Sequence, residues 1–449
     1  EDVLEITSSK RIKMADYVQS GIPFYRSKEI IEKSNNQPVS TDIFITCEHF
    51  DKIKMKFGAP EAGDILLTSV GTLGVSYQVS DDDLFYFKDG NLTWFRNFNN
   101  RVLSGYIYCW LKSPSARKKL DEISIGTTQR ALTIASLKKI LIKIPSLDVQ
   151  KKIVFIYESL SKKIINNGKI NQTLEQMAQV LFKSWFVDFE PVKAKIAVLE
   201  AGGSQEDATR AAMTAISGKD ADALAVFERE HPEQYAQLKA TAELFPAAMQ
   251  DSELGAIPKG WGVASISEMG KVTCGKTPSK KEPEYYGSDV PFIKIPDMHG
   301  QLFVLKTNEY LSEAGSKSQL KKLVPANSIC VSCIATIGVV SITNEPSHTN
   351  QQINSVTPHK SSLLYYLYFC MLGLKDHLHI LGSAGSATLN VNTSTFSGIK
   401  IAQPDAKVLE LFHAKCTHLF NEIKSLSVQT ESLTQLRDTF SPNFSRVKL

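Results

Sequence analysis

The sequence predicts a mixed α/β (α+β) fold: two duplicated domains joined by two long antiparallel coiled-coil helices in a pseudo-two-fold arrangement. Three observations predict it. The 449-residue chain repeats itself at an offset of about 260 residues. Each copy reads as short β-branched strands with a few helices. Each copy then runs into a heptad-patterned stretch.

The repeat comes first. "GIPFYRSKEI" (21–30) resembles "DVPFIKIPDM" (289–298), "AGDILLTSVGTLGVSYQ" (62–78) resembles "ANSICVSCIATIGVVSI" (326–342), and "GTTQRALTIASLKKILIKIP" (126–145) resembles "GSATLNVNTSTFSGIKIAQP" (385–404). Order is kept throughout, so the chain is a duplication that gives one molecule two related surfaces. The spacing predicts domains over 1–145 and 259–403. "DILLTSV" and "SICVSCIATIGVVSI" read as strands, "KKILIKIP" and "GIKIAQP" as terminal strands ended by proline, and "GYIYCWLKSPSARKKL" and "SSLLYYLYFCMLGLKDHL" as helices.

Beyond each terminal proline the period changes. Leu409, Phe412, Cys416, Leu419, Ile423, Leu426, Thr430 and Leu433 step by three and four, as do Ile153, Ile156, Leu160, Ile164, Ile170, Leu174, Met177 and Leu181, less strictly. Ser146 and Asp405 stand where helix N-caps belong. Long helices are expected over 146–190 and 404–440, with every heptad leucine buried; a helix of about 36 residues is roughly 54 Å long at 1.5 Å per residue. "FKSWFVDFEP" (182–191) places Leu181, Phe182, Trp185, Phe186 and Phe189 at helical spacing near the end of the first, where Pro191 is expected to stop it. These side chains, with Leu433 and Leu436, are expected to pack on the opposite helix and domain or on a partner subunit. Residues 191–258 read as an acidic, Ala-rich helical connector.

Composition narrows the function classes. The apolar and charged content is that of a folded globular chain. No apolar run is long enough to span a membrane, and "EDVLEITSSKRIKMADY" is no signal peptide. An opening without Met fits a trimmed start. Seven cysteines at irregular spacing suit a reducing cytoplasm. The net charge of +4 conceals ten acidic and four basic residues within 201–256, so the remainder carries about +10, a balance suited to a polyanion.

Catalytic patterns fail on physical grounds. "GKVTCGKT" (270–277) matches the phosphate-loop spelling, but Pro278 and Pro283 follow where a helix must open. Cys330 and Cys333, three apart in a strand, point to opposite faces, so neither a metal nor a redox pair is expected. Pro404 and Asp405 with Glu422 and Lys424 mimic a nuclease pattern, yet they lie on the heptad helix. No catalytic residue, metal or cofactor is expected.

Binding chemistry recurs in both copies instead. Lys10 and Arg11 in "SSKRIKMADY", Arg26 and Lys28 in "PFYRSKEI", and Lys276, Lys280, Lys281 and Lys294 in the matching region of the second copy mix cations with aromatic and small polar residues. Gln129 and Arg130, and Thr388 and Asn390, lie in Gly-opened loops before the last strands. Lys and Arg hold phosphates, Arg reads guanine, and Gln or Asn reads adenine. A non-DNA adaptor with two duplicated binding domains on a coiled-coil spacer stands as the alternative. A nucleotide hydrolase built on Gly270 to Thr277 is a weaker third.

With these residues in hand the chain resembles the specificity subunit of type I restriction-modification systems. "LFKSWFVDFEPVKAK", "SELGAIPKGW" and "GKTPSKKEPEYYG" with "PFIKIPDM" carry the resemblance, which spans nearly the whole chain. The first half lacks the "IPKGW" lead-in, and "TFSPNFSRVKL" is a weak version of the family's ending. The resemblance implies two target-recognition domains, each reading one half of a bipartite double-stranded DNA target. It implies that the long helices space these domains, dock two methyltransferase subunits that bind S-adenosylmethionine, and admit restriction (motor) subunits. Half-sites on one face of B-DNA lie about 34 Å apart per turn, within the helices' span. The resemblance implies no chemistry in this chain itself.

Overall fold

The computed structural model describes residues 3–126, 130–383 and 389–440. It forms two compact units, one comprising residues up to Gly168 together with those from Gln429 onward, the other Lys169–Val428.

In the first unit, Glu5–Thr7, Leu92–Arg96, Ile65–Thr68 and Ser76–Gln78 pair in that order as an antiparallel sheet. All four residues Ile65–Thr68 are buried. Strand alternation explains this: Ile65 and Leu67 enter one core with Tyr106 and Trp110, while Leu66 enters another with Phe87 and Trp94. A smaller sheet orders Phe44–Ile45, Ile22–Tyr25 and Tyr86–Phe87, the last pair parallel.

The second unit repeats this plan. Gly270–Cys274, Ile353–Pro358, Ile329–Ser332 and Val340–Thr343 pair in the same order, extended by Phe303–Val304. Ile329 and Val331 enter one core and Cys330 another. Val290–Ile293 lies between Glu309–Leu311 and the parallel strand His348–Thr349. One tertiary bond recurs 259–260 residues apart: Tyr106 donates to the Lys143 carbonyl at 2.8 Å and Tyr366 to the Ala402 carbonyl at 2.6 Å.

Two helices run Leu147–Phe186 and Ala406–Phe440. Asp405 caps the second, its Oδ1 accepting from Lys407 N at 2.8 Å. Within the first unit Asn167 donates to Gln429 Oε1 (2.8 Å) while Arg437 lies over the Tyr157 ring. Within the second, Asn171 donates to Ser427 Oγ (3.1 Å) while Trp185 meets Phe412. In each unit partner numbers fall as helix numbers rise, so the paired segments are antiparallel.

Several expectations are corrected. The first long helix ends at Phe186, before Pro191; Phe189 adopts φ 53°, and Pro191 sits in the first turn of a new helix, Glu190–Glu200, where a missing N–H costs nothing. Not every heptad leucine is buried. Leu409 is, but Leu419, Leu426 and Leu433 are half-buried and Leu436 is 44% exposed. Beside Leu419 it is Phe420 that is fully buried, against Tyr365 and Tyr368, because this face packs on the domain as well as on a helix. "KKILIKIP" joins no ladder among the described residues, whereas Lys400–Gln403 pairs with Gly262–Ser265. Each supposed domain helix is broken, the first at Pro114, where Ser113 caps a new helix by accepting from Ala116 N. The connector is helical only to Glu243. Its four helices are followed by a hairpin, Met249–Ser252 with Gly255–Pro258, which turns at Gly255 (φ +91°).

Candidate nucleic-acid interface

The candidate interface centres on a strand followed by a short helix, once per unit. Ile22–Tyr25 leads into Ser27–Ser34, and Val290–Ile293 into Ile295–Met298. At the junction Arg26 N donates to Glu29 Oε2 (2.7 Å) and Lys294 N to Asp297 Oδ2 (2.9 Å). The side chains there are already neutralised. Arg26 Nη2 lies 2.8 Å from Glu29 and 3.0 Å from Asp42, and Lys294 is paired with Glu309 while lying over the Phe292 ring. Lys28 lies 3.8 Å from Glu32 and donates to the Ser40 carbonyl. Lys10 rests over the Phe57 ring at 5.0 Å, its backbone N–H bound to the Tyr86 hydroxyl, and Arg11 is exposed.

The basic loop of the second unit has a different character. Gly270–Cys274 is a sheet strand, and the next two backbone N–H groups are consumed as well: Gly275 N donates to Ile353 O and Lys276 N to Thr349 O. These groups are therefore not free to cradle phosphate. Gly275 permits the approach, since a Cβ there would stand 2.2 Å from the Asn350 carbonyl oxygen. The Lys276 carbonyl accepts from Gln319 Nε2 (3.0 Å) and Thr277 donates to Gln351 Oε1 (2.6 Å). From this fixed root Lys276, Lys280 and Lys281 extend as exposed side chains, with no carboxylate partner among the described residues.

Sequence reasoning missed the brace behind that loop. His348 is fully buried on its strand, with Nε2 2.9 Å from Ser316 Oγ and Nδ1 3.5 Å from Gln319 Nε2. Burial pushes its imidazole down to about 4, so it is neutral. Nothing in "PSHTN" signals this, because its partners lie about 30 residues away.

In the loops before the last strands, Gln129 and Thr388 lie outside the described residues. Arg130 is held by its own domain: Nη2 reaches Asp121 Oδ1 (3.0 Å) and Ser124 Oγ (2.6 Å). Asn390 is exposed, bridging Ile334 as Ala131 bridges Val70.

The other patterns resolve into packing. Cys330 and Cys333 belong to different cores, and burial pushes both thiols up to about 11. Among the described residues no group of three or more His, Cys, Asp or Glu is placed to hold a metal. Asp405 caps the helix that carries Glu422 and Lys424, roughly 25 Å further along at 1.5 Å per residue. No helix among the described residues is long and apolar enough to cross a membrane.

"FKSWFVDFEP" faces inward for the most part. Phe182 stacks on Phe369 (5.3 Å), Trp185 meets Phe245 edge-on (5.1 Å), and Phe186 meets Tyr366 (5.0 Å). Leu181 packs on the same core and Phe189 against Trp261. Met177 is exposed on the helix, and Val180 and Val187, the latter just past its end, are exposed beside a groove floored by Phe369 and Leu372.

Comparison with known proteins agrees with this frame. The profile of the "Type I restriction modification DNA specificity domain" matches residues 1–176 and 258–424. The HindI specificity subunit of Haemophilus influenzae is 41% identical over 422 residues, covering 91% of this chain and 92% of that protein. The MjaIX specificity subunit of Methanocaldococcus jannaschii is 24% identical, covering 85% and 76%. The S subunit of a type I restriction-modification system from M. genitalium has a similar fold, with a TM-score of 0.50 at 12% identity, covering 98% of this chain and 93% of that one. With the two copies of the repeat each matched and a relative of this similarity along nearly its full length, the chain belongs to the type I restriction-modification DNA specificity family.

Proposed function

We propose that this chain is the DNA-recognition subunit of a type I restriction-modification complex, each unit reading one part of a bipartite double-stranded target. The observation that carries this reading is the repeated frame with unlike loops. Strand, short helix and capping bond recur at Arg26 and Lys294, while the surrounding loop residues differ, as two different half-sites require. Lys276, Lys280, Lys281 and Arg11 are the phosphate contacts, being unpaired among the described residues. Gln129, Arg130, Thr388 and Asn390 contact bases, and Arg130 exchanges Asp121 for DNA. Lys10, Arg26, Lys28 and Lys294 shape the surface through the contacts they already make.

The long helices set the distance between half-sites and dock two methyltransferase subunits. Met177, Val180 and Val187 form part of the docking stripe. Restriction subunits join through the same assembly, and methyl transfer and cleavage belong to these partners. The complex acts on the chromosome in the cytoplasm.

The test is binding of the complex with its partner subunits to cognate and scrambled duplexes at two salt concentrations. Lys280→Ala and Lys281→Ala weaken both duplexes and lower the salt slope by about one unit for each phosphate no longer neutralised. Arg130→Ala weakens the cognate duplex alone, by about 1–3 kcal/mol if it pairs with a base. Salt-independent binding that ignores all three substitutions returns the chain to the adaptor reading.

A further inference from the structure

The two copies of the repeat differ at one interior place. In the second unit Phe369, Leu372, Cys416, Phe420 and Ala178 lie there, with the rings of Phe369 and Phe420 6.0 Å apart and both buried. At the repeat offset of 259–260 residues, the first unit has Cys109, Lys112, Tyr157, Ser161 and Arg437 there. Where one copy places two phenyl rings, the other has a thiol and a hydroxyl. These residues of the first unit line a recess of about 460 Å³.

We infer that this recess of the first unit is a binding site for a small oxyanion, phosphate or a phosphate ester, held between Lys112 and Arg437. The Lys112 ammonium donates to Ser34 Oγ at 2.7 Å and lies 5.3 Å from the Tyr108 ring centroid. No carboxylate of the described residues lies within ion-pair distance of it. Arg437 approaches from the other wall, 5.7 Å from the Tyr157 ring and bound to Asp438 at 2.9 Å. Tyr108 and Tyr157 meet edge-to-face at 6.5 Å between them. Lys33 and Lys162 also line the recess, against the acids Glu158 and Asp438, so the wall is net positive. Lys33 is matched by Asp83 behind it.

Burial, and then the nearby Arg437, lower the Lys112 ammonium to about 8. Two partly desolvated cations facing one cavity repel, and an anion between them relieves both. The aromatic walls admit a flat group attached to the phosphate, and the volume suits a small organic ligand. A place lined by hydrocarbon in one copy and by cations and phenols in the other is a difference that the shared fold does not require.

The experiment is calorimetric titration of the full chain with inorganic phosphate and, separately, AMP, at constant ionic strength. One-to-one binding weakened about tenfold or more by both Lys112→Met and Arg437→Gln supports the site. Tighter AMP than phosphate assigns an ester, and equal affinities assign the bare oxyanion. Arg437→Gln, at the recess rim, keeps the test decisive if Lys112→Met unfolds the unit. Absence of binding up to about 10 mM, binding untouched by both substitutions, or displacement of AMP by duplex DNA overturns the proposal, the last because the recess is then part of the nucleic-acid surface.

Discussion

Removing Trp185 separates a structural from a docking role for the segment that carries it. Its side chain is fully buried among Phe186, Phe245 and Phe412, with ring centroids 6.2, 5.1 and 6.2 Å away. An indole buries on the order of 200 Å², which at about 25 cal/mol per Å² is ~5 kcal/mol of transfer free energy. Alanine retains part of that and the cavity partly relaxes, so Trp185→Ala is expected to cost about 4 kcal/mol. Trp185→Phe behaves differently. The indole Nε1 is buried without a hydrogen-bond partner among the described residues. Deleting this N–H recovers about 1–3 kcal/mol, against a loss of ~1–2 kcal/mol from the smaller ring, so the two nearly cancel. Urea unfolding read by circular dichroism, with amide exchange across 169–428, measures both. With an m-value of about 3 kcal/mol per M, Trp185→Ala shifts the midpoint by about 1.3 M, and Trp185→Phe shifts it little. Val187→Asp, at a position 52% exposed, leaves stability within about 0.5 kcal/mol and weakens partner binding. An unchanged midpoint in Trp185→Ala, or equal damage from Phe and Ala, refutes the reasoning.

Asn167 is buried in the helix pair with Nδ2 bound to Gln429 and Thr430 and Oδ1 without a partner among the described residues. Asn167→Leu is expected to hold or raise stability by about 1 kcal/mol while loosening helix register, read by the yield of an engineered disulfide across the pair. His348 titrates in the unfolded chain at its ordinary value of about 6.5 but near 4 when folded, so the unfolded state binds the extra proton between these pH values. Stability of Lys169–Val428 therefore falls by up to about 3 kcal/mol as pH drops from 6.5 to 4 and is flat above 7, and His348→Gln removes the slope in urea titrations. Gly275→Ala drives a Cβ into the Asn350 and Thr349 carbonyls, lowering stability by about 2 kcal/mol or more and displacing the Lys276–Lys281 loop, seen as weaker binding to every duplex.

What the sequence disclosed was what short-range pattern encodes. The duplication, the β-branched strands and the two long helices are periodic signals within a few turns or strands of chain. What it concealed depends on distant partners. Whether 138–145 forms a ladder depends on a partner strand, which Lys400–Gln403 finds in Gly262–Ser265. The burial of Phe420 rather than Leu419 depends on Tyr365 and Tyr368 lying beneath it. Pro191 reads as a stop because a proline opposes the helix before it, yet its position in the chain makes it a start for the next. The candidate site follows the same rule. Lys280 and Lys281 announce themselves by composition, while the engagement of Arg130 with Asp121 is invisible without coordinates.

These partners also sort the cations by what each can give to a polyanion. An arginine or lysine that already faces a carboxylate must lose one charge-assisted bond to gain another, and the exchange yields little net energy. Arg26, Lys294 and Arg130 are in that position, with acids at 2.8–3.0 Å or closer. For Arg130, proposed to meet a base, this suits discrimination: a base that offers two acceptors would win the guanidinium from Asp121, and one that does not would leave the ion pair intact, whereas Arg26 and Lys294 stay in the contacts they already make. Lys276, Lys280 and Lys281 start from water, so a phosphate neutralises charge that nothing else in the described chain offsets, and counterion release adds to each contact. On the proposed reading affinity and selectivity fall on different residues, and the root of the lysine loop is tied through Gln319 to a neutral His348.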